Sequence, residues 1–197
     1  MHRVVTIPNA LTALRFLLSG VLALLLLRPP MGGIAVAAFV IFLVAAGSDW
    51  VDGWLARRYQ AETVLGQLMD PVADKVLVAT LLIMLIPLHR LSAWVSLIIL
   101  SRELVITGLR GVAATAGVVV AASRCGKLKS VIQYIGLGIL LYPPELFPFA
   151  WLHPLGRLVM YLAVLLTIWS GLQYFVALRR LFFHPPAAPP SKTTANP

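Results

Sequence analysis

All four aspartates of the chain, Asp49, Asp52, Asp70 and Asp74, fall between Ser48 and Lys75. The sequence on either side is almost continuously apolar. A carboxylate near a bilayer centre costs roughly 2.5–3.5 kcal/mol, so four of them would cost on the order of 10 kcal/mol without compensation. Asp49 and Asp52 are three residues apart, and Asp70 and Asp74 are four apart. On helices both spacings bring side chains to one face. Two helix ends meeting across a short connection would converge the carboxylates. Hard oxygen donors at this density suit Mg²⁺, Mn²⁺ or Ca²⁺ rather than zinc. Such a set could hold two divalent ions, an arrangement common in displacement at phosphorus. Gly53 and Gly66 allow close approach to the backbone, and Arg57 can fork onto a phosphate. A polar helix cap, with the carboxylates merely paired to Arg57, Arg58 and Lys75, is the rival reading. The cost of intramembrane charge sets it second.

The elements that must position these residues are hydrophobic helices. The chain has 197 residues, is 60% hydrophobic and carries a net charge of +9, with mean hydropathy +0.91. These values indicate an all-α integral membrane protein with no room for a large soluble domain. The basic residues lie in short stretches between apolar runs, which favours membrane surfaces and anionic substrates over nucleic acid. Cys125 is the only cysteine, so no internal disulfide is possible. The N-terminal run lacks a small-residue cleavage site and reads as a retained helix.

Six spans are expected: 11–27, 34–50, 68–86, 91–114, 131–141 and 155–178. The expectation puts a polar connection at 60–66, an interruption of the fourth span at Ser101-Arg102-Glu103, and a basic loop at 121–130. Residues 1–180 form the membrane domain, and 181–197, rich in Pro and Ala, are expected to be a disordered tail. With six spans, both termini share a side with Arg57, Arg58, Arg110, Arg124, Lys127 and Lys129. The other side holds only Arg28, Arg90 and Arg157. The positive-inside rule then places the termini and the aspartates on the cytoplasmic face of a plasma (inner) membrane.

The pattern Asp49-x2-Asp52-Gly53-x2-Ala56-Arg57-x8-Gly66-x3-Asp70-x3-Asp74 matches every fixed position of the CDP-alcohol phosphotransferase signature. The resemblance extends to most of the chain, though not to the tail. Ile7-Pro8-Asn9-x2-Thr12-x2-Arg15, Ser101-Arg102-Glu103, Gly108-Leu109-Arg110 and Gly126-Lys127-x-Lys129-Ser130-x2-Gln133 resemble the branch whose acceptor is glycerol 3-phosphate. The resemblance implies six transmembrane helices, a homodimer, and a cytoplasm-facing polar cavity with two Mg²⁺ or Mn²⁺ ions. It implies transfer of a phosphatidyl group from CDP-diacylglycerol, giving phosphatidylglycerophosphate and CMP. Asp49, Asp52, Asp70 and Asp74 are then metal residues, and Asp74 is the general base. Asn9, Gly53, Ala56, Arg57, Thr63 and Gly66 belong to the CDP-diacylglycerol site.

Arg110, Lys127 and Lys129 share the aspartates' side and suit the acceptor phosphate; their rival reading is topology charge that binds lipid headgroups. Arg102 and Glu103 are adjacent inside an apolar run and cannot stay unpaired in lipid, so an interhelical ion pair is expected there, with acceptor contact as the rival. Gly136, Gly138 and Gly171 read as helix-packing positions, and the four histidines are not expected to be ligands. Within the family, a cardiolipin synthase using phosphatidylglycerol, or enzymes using inositol phosphate or serine, are the alternatives. Outside it stand a divalent-cation transporter, with the aspartates as an ion path, and a structural lipid-binding protein.

Overall fold

Apolar runs bounded by Pro and Gly become helices, because a backbone beside hydrocarbon must satisfy its own hydrogen bonds. The computed structural model describes residues 7–59, 64–115, 124–144, 146, 148–149 and 151–183. Side chains are described for all of these except 7–9, 49–59, 64–68, 70–71, 124–125 and 180–183. The described residues form α1 (Ile7–Leu25), α2 (Gly33–Tyr59), α3 (Val64–Met84), α4 (Ala93–Thr115), α5 (Arg124–Leu141) and α6 (Leu152–Phe183), with no strand among them.

The breaks follow local chemistry. The α1–α2 turn runs through Pro29-Pro30 and Gly32, whose φ of 53° a glycine adopts without strain. Pro143-Pro144 follows α5, and Pro154 sits in the first turn of α6, where its missing amide costs nothing.

The second helix runs past the expected span to Tyr59, just short of the expected polar connection at 60–66, and Leu55-Ala56-Arg57-Arg58 is strongly helix-forming. Two expectations are corrected. The expected basic loop is helical from Arg124; Ser130 donates to the Gly126 carbonyl at 3.3 Å within it. Ser101-Arg102-Glu103 does not interrupt α4, because its charges find partners on neighbouring helices. Residues 184–197 of the expected tail lie outside the described residues, and α6 itself reaches Phe183.

α1 packs against both α2 and α3; α5 packs against α6, α2 and α3; α4 lies on α6 and α3. Leu22, Phe42, Leu77, Leu81, Leu137 and Met160 meet in the main core, and Ile106, Ala113, Tyr174 and Leu178 join α4 to α6. The outer surface is apolar too: Leu158, Leu165, Trp169, Leu172, Phe175 and Val176 of α6 are exposed. A surface of that kind suits lipid rather than water. Among the described residues, Leu152–Arg179 is a helix long and apolar enough to cross a membrane by itself.

Glycines allow the tightest contacts, as expected for Gly136 and Gly138, whereas Gly171 stands at ordinary contact distance. A Cβ on Gly136 would meet Met160 Sδ at 2.7 Å, one on Gly138 would meet Phe42 at 3.0 Å, and one on Gly171 would touch Arg102 at 3.5 Å. Gly156 is equally close-packed, 2.9 Å from Leu140 Cδ2 and 3.0 Å from Ile139 Cγ2 by the same measure. Gly156→Val should therefore destabilise the protein by about 1–3 kcal/mol through overpacking. Thermal unfolding in detergent measures this; an unchanged midpoint would contradict the close α5–α6 contact.

Candidate active site

The helix that carries Asp49 and Asp52 is regular through both residues, and Asp70 and Asp74 lie together on α3. Each pair therefore shares one helix face. The side chains of Asn9, Asp49, Asp52, Arg57 and Asp70 lie outside the described residues, as do those around Gly53, Ala56 and Gly66, and Thr63 is outside them altogether. Asp74 is described. Its Oδ1 accepts a hydrogen bond from the Tyr134 hydroxyl of α5.

Asp74 stands on the wall of a cavity of about 640 Å³ between α3, α4 and α5. Lys75, Glu103, Thr107, Lys129, Gln133 and Tyr134 share that wall. Lys75 donates to the Thr107 hydroxyl, which donates in turn to the Glu103 carbonyl at 2.6 Å. The Lys129 side chain is only 4% exposed and pairs with Glu103 Oε1. The same oxygen takes a bond from Arg102 Nη1 at 2.9 Å. Arg102 Nη2 then reaches Ser170 of α6 at 3.0 Å.

The expected interhelical ion pair is present, with Lys129 as the partner on the other helix. Arg102 and Glu103 are neighbours on α4, and the contact across helices runs from Glu103 to Lys129. One carboxylate shared by two cations keeps the charges of α4 and α5 from standing alone in apolar surroundings.

Of the expected acceptor residues, Lys129 is brought to the Asp74 cavity. Lys127 is exposed on α5 outside its described wall. Arg110 lies over the Tyr174 ring, 5.5 Å from its centroid, on the α4–α6 side. On α1, Arg15 is buried, 1% exposed. Its Nε and Nη2 lie 3.4 and 3.3 Å from Ser48 Oγ, and Ser48 donates to the Ala45 carbonyl at 2.8 Å. That contact ties α1 to α2 at the residue before Asp49. Tyr134 and Thr107 were not among the residues singled out by sequence. Tyr134 follows Gln133 and lies one helical turn beyond Ser130, a position that reads as apolar packing until the fold brings Asp74 to it.

The donor set fits hard divalent cations. It is all oxygen, it lies on two helices at same-face spacing, and its described member faces a cavity. The cavity thus joins a carboxylate able to accept a proton to ammonium groups able to attract an anion.

The CDP-alcohol phosphatidyltransferase family profile matches residues 5–169, and the chain belongs to that family. Among curated proteins, it is 37% identical to the CDP-diacylglycerol–glycerol-3-phosphate 3-phosphatidyltransferase of Bacillus subtilis (strain 168), over 86% of this chain and 93% of the relative. It is 40% identical to the protein of the same name from Escherichia coli (strain K12), over 88% of this chain and 94% of the relative. The Shigella flexneri serotype 5b protein of that name shows the same identity and coverage.

The ion pair makes a stability prediction. Glu103→Gln leaves Lys129 buried without its counter-charge and should cost about 3–5 kcal/mol, whereas Glu103→Gln with Lys129→Met should recover much of that. Unfolding midpoints in detergent decide it. Equal midpoints for the single and double variants would remove the pair from the account.

Proposed function

We propose that this chain transfers the phosphatidyl group of CDP-diacylglycerol to glycerol 3-phosphate, releasing CMP and phosphatidylglycerophosphate. The observation that carries the reading is the placement of all four aspartates as same-face pairs on α2 and α3. Family membership and relatives of that name, matched over most of both lengths, support it. The site would lie in six membrane-spanning helices of a homodimer in the inner membrane, with termini and cavity toward the cytoplasm. The basic residues flanking the helices support that orientation.

Asp49, Asp52, Asp70 and Asp74 would hold two Mg²⁺ or Mn²⁺ ions. Bound there, such ions would neutralise pyrophosphate charge and the charge developing on the leaving CMP. Arg57 would contact phosphate, and Asn9, Gly53, Ala56, Thr63 and Gly66 would line the donor site. Asp74 would take the proton of the acceptor hydroxyl. As it does so, the acceptor oxygen bonds to the phosphorus next to diacylglycerol. The bond from that phosphorus to the bridging oxygen breaks, and CMP leaves. Lys129, with Arg110 and Lys127, would attract the acceptor phosphate.

A second reading keeps the reaction and changes the acceptor to a lipid such as phosphatidylglycerol. Two contacts favour it: Lys129 is already balanced by Glu103, and Arg110 is engaged with Tyr174. CMP release by the purified protein, with CDP-diacylglycerol, Mg²⁺ and an acceptor panel, separates the two. Turnover should require glycerol 3-phosphate and should fall about 100-fold or more in Asp74→Asn. Turnover with phosphatidylglycerol alone would move the acceptor assignment. Protein that is folded yet inert with every acceptor would favour the ion-path reading.

A further inference from the structure

We infer that Tyr134 is a positioning residue for Asp74, and that it holds the α3 carboxylate in fixed relation to the helix carrying Asp49 and Asp52. The inference rests on the proposed role of Asp74. A carboxylate turns easily about its last torsion. A hydrogen bond from a fixed donor to the charged oxygen removes that freedom. The Tyr134 hydroxyl is that donor to Asp74 Oδ1.

The donor is itself held. Its ring stacks on Phe42 of α2, with centroids 6.3 Å apart and planes 21° from parallel. Phe42 is 2% exposed and presses on Gly138, one turn along α5 from Tyr134. The Tyr134 ring also separates two spaces. On one side is the cavity holding Asp74. On the other is an apolar groove of about 380 Å³ between α2 and α5, lined by Phe39, Phe42, Leu43 and Ile139.

Phe42 and Asp49 are seven residues apart on α2, which puts them on one face of that helix. A single side chain therefore references the base on α3 to the face of α2 that carries the first aspartate. A residue that only filled space there would need no hydroxyl.

Tyr134→Phe keeps the ring and removes the hydroxyl. The test compares it with wild type as the full chain in detergent, by CMP release at saturating CDP-diacylglycerol, glycerol 3-phosphate and Mn²⁺. Binding of Mn²⁺ without lipid is followed in parallel from the paramagnetic resonance signal of the free ion. The expected result is a kcat lower by about tenfold or more, with KM for either substrate within about twofold. Mn²⁺ binding should weaken by roughly tenfold, as when a ligating carboxylate loses its orienting partner. The melting midpoint should stay within about 2 °C. A change in either kcat or Mn²⁺ binding at an unchanged midpoint supports the assignment. Values of both within about twofold of wild type would overturn it, as would losses accompanied by a midpoint lowered by more than about 5 °C. Wild-type protein that releases no CMP with glycerol 3-phosphate would sink the proposed reaction instead, and the Mn²⁺ comparison would then decide Tyr134.

Discussion

Charge set among apolar helices has to be neutralised where it stands, and the arrangement of this bundle follows from that constraint. Lys129 is almost fully buried, so Glu103 must face it. Glu103 in turn draws Arg102, whose other arm reaches Ser170. That chain of contacts ties α4, α5 and α6 together at one level. Arg15 is buried with two of its nitrogens on Ser48, which ties α1 to α2 beside Asp49. Truncating one member of such a set leaves its partner without a counter-charge, which costs more than the pair itself contributes.

The aspartates lie on α2 and α3, and α1 and α5 each touch both of those helices. These two flanking helices act as spacers. α1 does so through an apolar core, with the Arg15–Ser48 contact at its polar end. α5 does so through Tyr134 and Phe42, with Gly138 giving the ring room. The proposed chemistry needs carboxylates from two helices at a common site, and rigid neighbours are how a fold supplies that. The apolar exterior and the cavity between α3, α4 and α5 suit a substrate with two acyl chains and a charged head.

Much of this was legible in the sequence. The helices follow from hydropathy with Pro and Gly breaks, since every backbone group beside lipid must be paired within its own element. The aspartate spacings stood out because charge is scarce in this chain. The errors lie where local polarity misled. The start of α5 is polar yet helical, because Lys127 and Leu128 favour helix whatever their hydropathy. An ion pair across helices was legible at the Arg102–Glu103 doublet, but not its partner, which is Lys129, 26 positions away. Tyr134 carries no local mark of its role. Only the packing of α5 against both α2 and α3 brings its hydroxyl to Asp74.

The central claim is that α2 and α3 contribute to one divalent-ion site. Equilibrium dialysis of the purified protein against Mn²⁺ tests it most directly, comparing wild type with Asp49→Asn on α2 and Asp70→Asn on α3. The account predicts two ions bound per chain, and loss of occupancy from either substitution, because a shared site loses ligands from both helices. Full Mn²⁺ occupancy in either variant would contradict it.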